Sequence, residues 1–239
     1  MHQLYTQLCL NKANGIKQLA ILLDPEKINW VAWESIVHAI QHSPANLILV
    51  GGSSHSPLAV TQLVNALKKA IDLPVVLFPG NSAQLAAQAD AILFLSLLSG
   101  RNSDYLIQHQ VDAVPALMQL DLEVISTGYL LIESGHETSV ERISQTKPIA
   151  RNQVDLAVHT AKAGEYLGSK LIYLEAGSGA QFPVPIDMIQ AVSKAIAVPL
   201  IVGGGLRSQR EIQAAFQAGA DIVVIGTAFE EDPQFFATC

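Results

Sequence analysis

The sequence is short of charge. Asp, Glu, Lys and Arg make up only 15% of its 239 residues, against about 25% in an ordinary soluble domain. No run of like charge occurs, and a net charge of −7 lacks the basic footprint that nucleic acid demands, so no nucleic-acid partner is expected. Cysteine is scarce as well. Cys9 and Cys239 stand near opposite ends without metal-ligand spacing, which excludes a disulfide framework or a zinc ribbon and fits reduced thiols in a cytoplasmic protein. Long apolar runs are missing: the uncharged stretch 43–67 is broken by Pro44, Gly51, Gly52 and Pro57, and falls short of the roughly 20 residues of a membrane span. At most peripheral membrane contact is expected. Lys12, Lys17 and their polar neighbours also argue against a signal peptide.

What the chain has instead is apolar residues in short pieces. Half the sequence is hydrophobic, as expected of parallel strands buried on both faces. The surplus suits a subunit interface, hence a homo-oligomer, or a groove for a greasy ligand. Eight short apolar runs bounded by turn residues read as strands at 18–23, 47–50, 75–78, 91–95, 123–126, 170–175, 200–202 and 222–225. Helical spacing lies between several of them, at 31–41, 57–70 and in the stripe Val154, Ala157, Val158, Ala161. Alternating strands and helices over this length predict a (β/α)₈ TIM barrel, which typically takes about 250 residues. No linker divides the chain, so 1–239 reads as a single domain. Two connections are irregular. Segment 79–90, between the third and fourth strands, has room for one or two helical turns at most and predicts a thin or open wall. Segment 128–151 is long enough for a lid, or for a small helix near 139–144.

Chemistry in such a barrel sits at the C-terminal strand ends, with phosphate held after strands 7 and 8. Three glycine segments lie there in order: YLEAGSG at 173–179, VGGGLRS at 202–208 and VIGTAF at 224–229. Glycines at strand ends let backbone N–H groups approach an anion closely. Glu175 adds a carboxylate at the end of an otherwise apolar strand, facing that grip. After the first strand, Asp24 of LLDPEK is placed for Mg²⁺, which usually takes one or two carboxylates plus substrate phosphates. Ser53 of VGGSS offers a further oxygen. STGY places Thr127 and Tyr129 hydroxyls near the same rim. These features predict an enzyme acting on a phosphorylated small molecule.

Taken together, LLDPEK, VGGSS, LFPGN, SGRN, STGYLLIESG, TSVERIS, AGEYLGSKLIYLEAGSGA and the two later glycine loops closely resemble the geranylgeranylglyceryl phosphate synthase family, including its bacterial heptaprenylglyceryl phosphate synthase relatives. YLLIESG and TSVERIS look most like the family's second group. Ser103 and Ala150 stand where that pattern often has proline, and neither falls on a site position. The resemblance implies an enzyme that joins sn-glycerol 1-phosphate to a polyprenyl diphosphate through an ether bond and releases diphosphate. By matching motifs, Asp24 and Ser53 correspond to the Mg²⁺ positions. Tyr173, Leu174, Glu175, Ala176, Gly177, Ser178, Gly179, Gly204, Gly205, Gly226 and Thr227 correspond to the glycerol phosphate site, with Glu175 as the base.

Elementary chemistry agrees. Departure of an allylic diphosphate needs its charge neutralised, and the acceptor hydroxyl needs a base. The chain has no adjacent Asp pair, so a DDxxD-type chain-elongating prenyltransferase is unsupported. Two alternatives share the glycine loops: an isomerase or aldolase acting on a sugar phosphate, and a non-catalytic phosphate-binding protein. The first lacks an obvious interior lysine, and intact Asp24 and Glu175 argue against the second. The prenyl tail is expected to leave through the thin wall at strands 3–4, past Phe78, Leu85, Phe94 and Leu98.

Overall fold

A computed structural model describes residues 3–52 and 56–236. Eight parallel strands close into a barrel in sequence order: β1 Gln18–Leu23, β2 Leu47–Gly51, β3 Val75–Phe78, β4 Ala91–Leu97, β5 Glu123–Leu131, β6 Leu171–Glu175, β7 Leu200–Gly203 and β8 Ile222–Ile225. Closure comes from β1 pairing β8, with Gln18 opposite Ile222. Successive side chains of a strand face opposite sides, so each strand feeds two cores. In β6, Leu171 and Tyr173 fill the barrel interior with Leu49, Val76, Leu93, Ile125 and Ile201. Ile172 and Leu174 face outward and pack under the helices. This alternation puts Glu175 on the inward face, at the C-terminal edge.

Helices α1 Leu4–Ala13, α2 Trp33–Gln41, α3 Pro57–Ala70, α4 His109–Leu117, α5 Ser139–Ser144, α6 Val154–Tyr166, α7 Ile186–Ala195, α8 Gln209–Ala218 and α9 Thr227–Glu231 surround the strands. None of the described helices is long and apolar enough to cross a membrane. The segment 79–90 contains turns and no helix. The sheet itself stays closed there, through Val76 opposite Ala91 and Leu77 opposite Ile92. The thin wall is therefore a missing outer layer, and there is no gap between strands. Asp90 fastens the segment, accepting from Val75 N–H at 2.7 Å and pairing with Lys68 at 2.8 Å.

Two elements depart from the sequence reading. Strand β5 runs to Leu131, beyond the expected end at 126, because Ser96 to Leu97 and Tyr173 to Glu175 continue as partners on its two sides. Thr127 and Gly128, expected past the strand end, lie inside the strand, and the long connection shrinks accordingly. The shortened connection includes α5, capped by the Thr138 hydroxyl that accepts from Glu141 N–H. The second departure is α1, which carries no clean apolar stripe. It closes the N-terminal end of the barrel with Leu8, 3% exposed, against the interior core. The Glu123 carboxylate accepts from the first helical N–H groups, Leu4 at 2.8 Å and Tyr5 at 3.1 Å. Leu8→Ala is expected to destabilise the protein by about 2–5 kcal/mol, as for other buried leucine truncations. Denaturant unfolding checks this, and a loss well below that range would mean that α1 is not part of the cooperative fold.

Candidate active site

One cavity of about 330 Å³ opens at the C-terminal end of the barrel. Its polar end is built by the loops after β6, β7 and β8, which contribute Gly177, Ser178, Gly179, Gly204, Gly205, Arg207, Gly226 and Thr227 to the wall. Glu175 projects into the centre and is 5% exposed. Burial raises its carboxyl above the ordinary 4.5. The pull back comes from the nearby Tyr173 hydroxyl and from Gly177 N–H, which donates to Glu175 Oε1 at 2.6 Å. A Cβ at Gly204 would overlap Glu175 Oε1 and come within 2.6 Å of Gly177 N, and this residue has φ +81°. Only glycine lets the β7 loop close over the acid in that backbone conformation.

Beneath the carboxylate sits an aromatic floor. Tyr129 and Tyr173 meet edge to face at 5.4 Å, and Phe78 packs 5.9 and 5.5 Å from them. Burial, reinforced by the Glu175 charge, pushes both phenols well above 10 and keeps them neutral donors. The Tyr173 hydroxyl is buried and meets no partner with ordinary hydrogen-bond geometry among the described residues.

Asp24 lines the same cavity on the flank of β1, next to β8. Its Oδ1 accepts from Glu26 N–H at 3.1 Å, and its own N–H donates to Glu230 Oε1 at 3.0 Å. Gly52 lies against it so closely that a Cβ would approach Oδ2 to 2.7 Å; the missing side chain leaves that oxygen room for a ligand. No cluster of three or more His, Cys, Asp or Glu able to hold a metal occurs among the described residues. Among the described residues, then, a cation held by protein groups alone is not provided for. Asp24 is a single carboxylate with space at Oδ2, and Mg²⁺ usually takes one or two carboxylates and completes its shell with substrate oxygens and water.

The other end of the cavity is greasy. Phe78, Leu85, Phe94 and Ala113 line an arm at β3, β4 and α4, and Val140 and Ile143 of α5 cover it. Tyr105 O–H and Asn102 Nδ2 hold α5 in place by donating to Ile143 O and Ser144 O at 3.3 and 2.9 Å.

Most of the expected site residues thus converge, and some do not. Tyr173 lies under the cavity wall, while Leu174 and Ala176 are fully buried against the helix layer and supply only backbone near the site. Thr127 is buried with its hydroxyl donating to Ile125 O, away from the cavity. Leu98, expected along the tail path, packs outside the barrel wall near Gly128 and Gly164. Ser53 lies outside the described residues. Sequence reasoning passed over Arg207, Lys27 and Glu230, all of which line the cavity. Arg207 was legible in principle as the cation next to the second glycine loop.

The profile of the PcrB family matches residues 15–238. The chain belongs to this family. A Flavobacterium johnsoniae protein named geranylgeranylglyceryl phosphate synthase is 56% identical over 98% of this chain and 96% of its own length. An archaeal protein of the same name, from Korarchaeum cryptofilum, is 39% identical over 89% of this chain and 87% of its own. The crystal structure of (S)-3-O-geranylgeranylglyceryl phosphate synthase from Thermoplasma acidophilum in complex with sn-glycerol-1-phosphate superposes with a TM-score of 0.92. It is 32% identical and covers 99% of this chain and 95% of that one.

The burial of Glu175 has a consequence for stability. Because its pKa is raised on folding, the folded state holds the proton more tightly than the unfolded state. Stability contributed by the protonated acid is full below about 4.5 and is lost as pH rises through the higher folded value. Glu175→Gln is therefore expected to unfold at higher denaturant concentration than the parent at pH 7, with the difference shrinking toward pH 4. A variant less stable at neutral pH would mean that the ionised acid is well compensated by its surroundings.

Proposed function

We propose that this member of the PcrB family is a prenyltransferase of ether-lipid synthesis, forming the ether bond between sn-glycerol 1-phosphate and a polyprenyl diphosphate and releasing diphosphate. One observation carries the reading. A buried carboxylate stands where a glycine-lined anion cradle and a long apolar arm meet in one cavity. The relatives' names and the glycerol phosphate held by the Thermoplasma acidophilum protein support both substrates.

In this mechanism the phosphate rests on the backbone N–H groups of Gly179, Gly204, Gly205, Gly226 and Thr227, with Ser178 and Arg207 at the rim and Gly177 N–H kept for Glu175. The buried Tyr173 phenol lies under the cavity wall and packs beneath Glu175. The free glycerol hydroxyl then faces Glu175, which accepts its proton as the oxygen bonds to the allylic carbon. The carbon–oxygen bond to diphosphate breaks, and the leaving group keeps the electron pair. Burial strengthens Glu175 as a base, and holding both substrates in one cavity removes much of the entropy cost of bringing them together. Asp24 and Ser53 would hold Mg²⁺, which when bound neutralises the departing diphosphate. The prenyl tail lies in the arm past Phe78, Leu85 and Phe94, where each buried CH₂ stabilises by about 0.8 kcal/mol. A sugar-phosphate isomerase or aldolase has no use for such an arm. On the same reading the chain works as one domain in the cytoplasm. Its oligomer contact uses the exposed stripe of Ile107, Val111, Val114 and Met118.

Glu175→Gln keeps the shape and removes the base. Turnover is expected to fall by roughly 10²–10⁴-fold with sn-glycerol 1-phosphate affinity largely kept, measured by product formation from sn-glycerol 1-phosphate and geranylgeranyl diphosphate. Near-normal turnover would remove Glu175 from the chemistry.

A further inference from the structure

The cavity carries two strong cations, and they sit apart. Arg207 follows β7 beside the glycine loops, whereas Lys27 follows β1 beside Asp24. Lys27 is tethered only lightly. Its Nζ meets Glu230 Oε2 at 3.0 Å and Asp24 Oδ2 at 3.8 Å, and its side chain is 49% exposed. Glu230 uses its other oxygen to accept Asp24 N–H, so one carboxylate holds both the acid and the lysine at this rim. An exposed ion pair of this kind adds little stability, and a four-carbon stem lets the ammonium turn from one anion to another.

The leaving group of the proposed reaction carries more negative charge than one divalent ion beside Asp24 would cancel. A mobile cation next to Asp24 and inside the cavity, on the β1 flank of the glycine loops, supplies the balance. We infer that Lys27 binds the diphosphate group of the prenyl substrate, turning to it from Glu230, and so is a leaving-group residue of this site. The inference rests on the proposed function. It assigns the two cations to the two phosphate-bearing substrates: Arg207 to glycerol phosphate, Lys27 to diphosphate. At Lys27 the ammonium contributes charge-assisted hydrogen bonds to phosphate oxygens as the carbon–oxygen bond lengthens.

Calorimetric titration of the full chain with inorganic pyrophosphate in the presence of Mg²⁺, and separately with sn-glycerol 1-phosphate, tests this. Lys27→Gln is expected to weaken pyrophosphate binding about 10-fold, the size of one hydrogen bond to a charged group. Glycerol phosphate affinity and melting temperature stay unchanged, and Lys27→Arg recovers most of the loss. Equal pyrophosphate binding by Lys27→Gln and the parent overturns the assignment, as does a parallel loss of both ligands, which would mark general damage to the site. If the parent binds glycerol phosphate but no pyrophosphate, the proposed function itself falls, and this inference with it.

Discussion

A carboxylate buried at the end of an apolar strand is the constraint around which the rest of the site is arranged. Glu175 is 5% exposed, and an isolated charge taken out of water costs far more than a fold can spare. The chain's answer is local. Gly177 N–H donates to Oε1, the neutral Tyr173 phenol lies close below, and the β7 loop closes over the acid at glycine positions. These groups moderate the penalty without removing it, so the acid stays above its ordinary pKa. An acid left in that condition binds a proton readily, which is the property a base needs when it takes one from an alcohol.

The parallel barrel makes this arrangement possible. Strand alternation sends Tyr173 and Glu175 inward and Leu174 outward, so one five-residue strand supplies both a floor and a buried acid. Closure in sequence order places β6, β7 and β8 side by side, and their three glycine-bearing ends converge on the polar end of one cavity. The missing helix after β3 leaves the opposite flank thin, and the apolar arm runs along that side under α4 and α5. Polar and greasy halves of one cavity thus follow from which connections carry helices and which do not.

Much of this was legible in the sequence because it is local. The glycine loops, the acid at the end of YLE, Asp24 after β1 and the short 79–90 connection are each visible within a few residues. The parts that escaped depend on distant chain. Strand β5 extends past Gly128 only because β4 and β6 reach as far on either side. The apolar face of α1 is defined by the barrel end it closes. Leu98 looks like a lining residue, yet it lies just past the end of β4 and turns outward to the helix layer. Glu230 lies 206 residues from Asp24, and no spacing rule connects them. Lys27 acquires its place from the same long-range contact.

On the proposed function, acid, cradle and apolar arm form one working site, with the tail along the 79–90 side. The most direct measurement is the longest prenyl diphosphate accepted by Leu85→Trp, in a ladder of chain lengths offered with sn-glycerol 1-phosphate. Leu85 lines the arm and is remote from the glycine loops. The longest accepted chain should shorten while glycerol phosphate affinity holds. Unchanged chain-length preference with a collapse of glycerol phosphate binding would contradict it and put the tail elsewhere in the barrel.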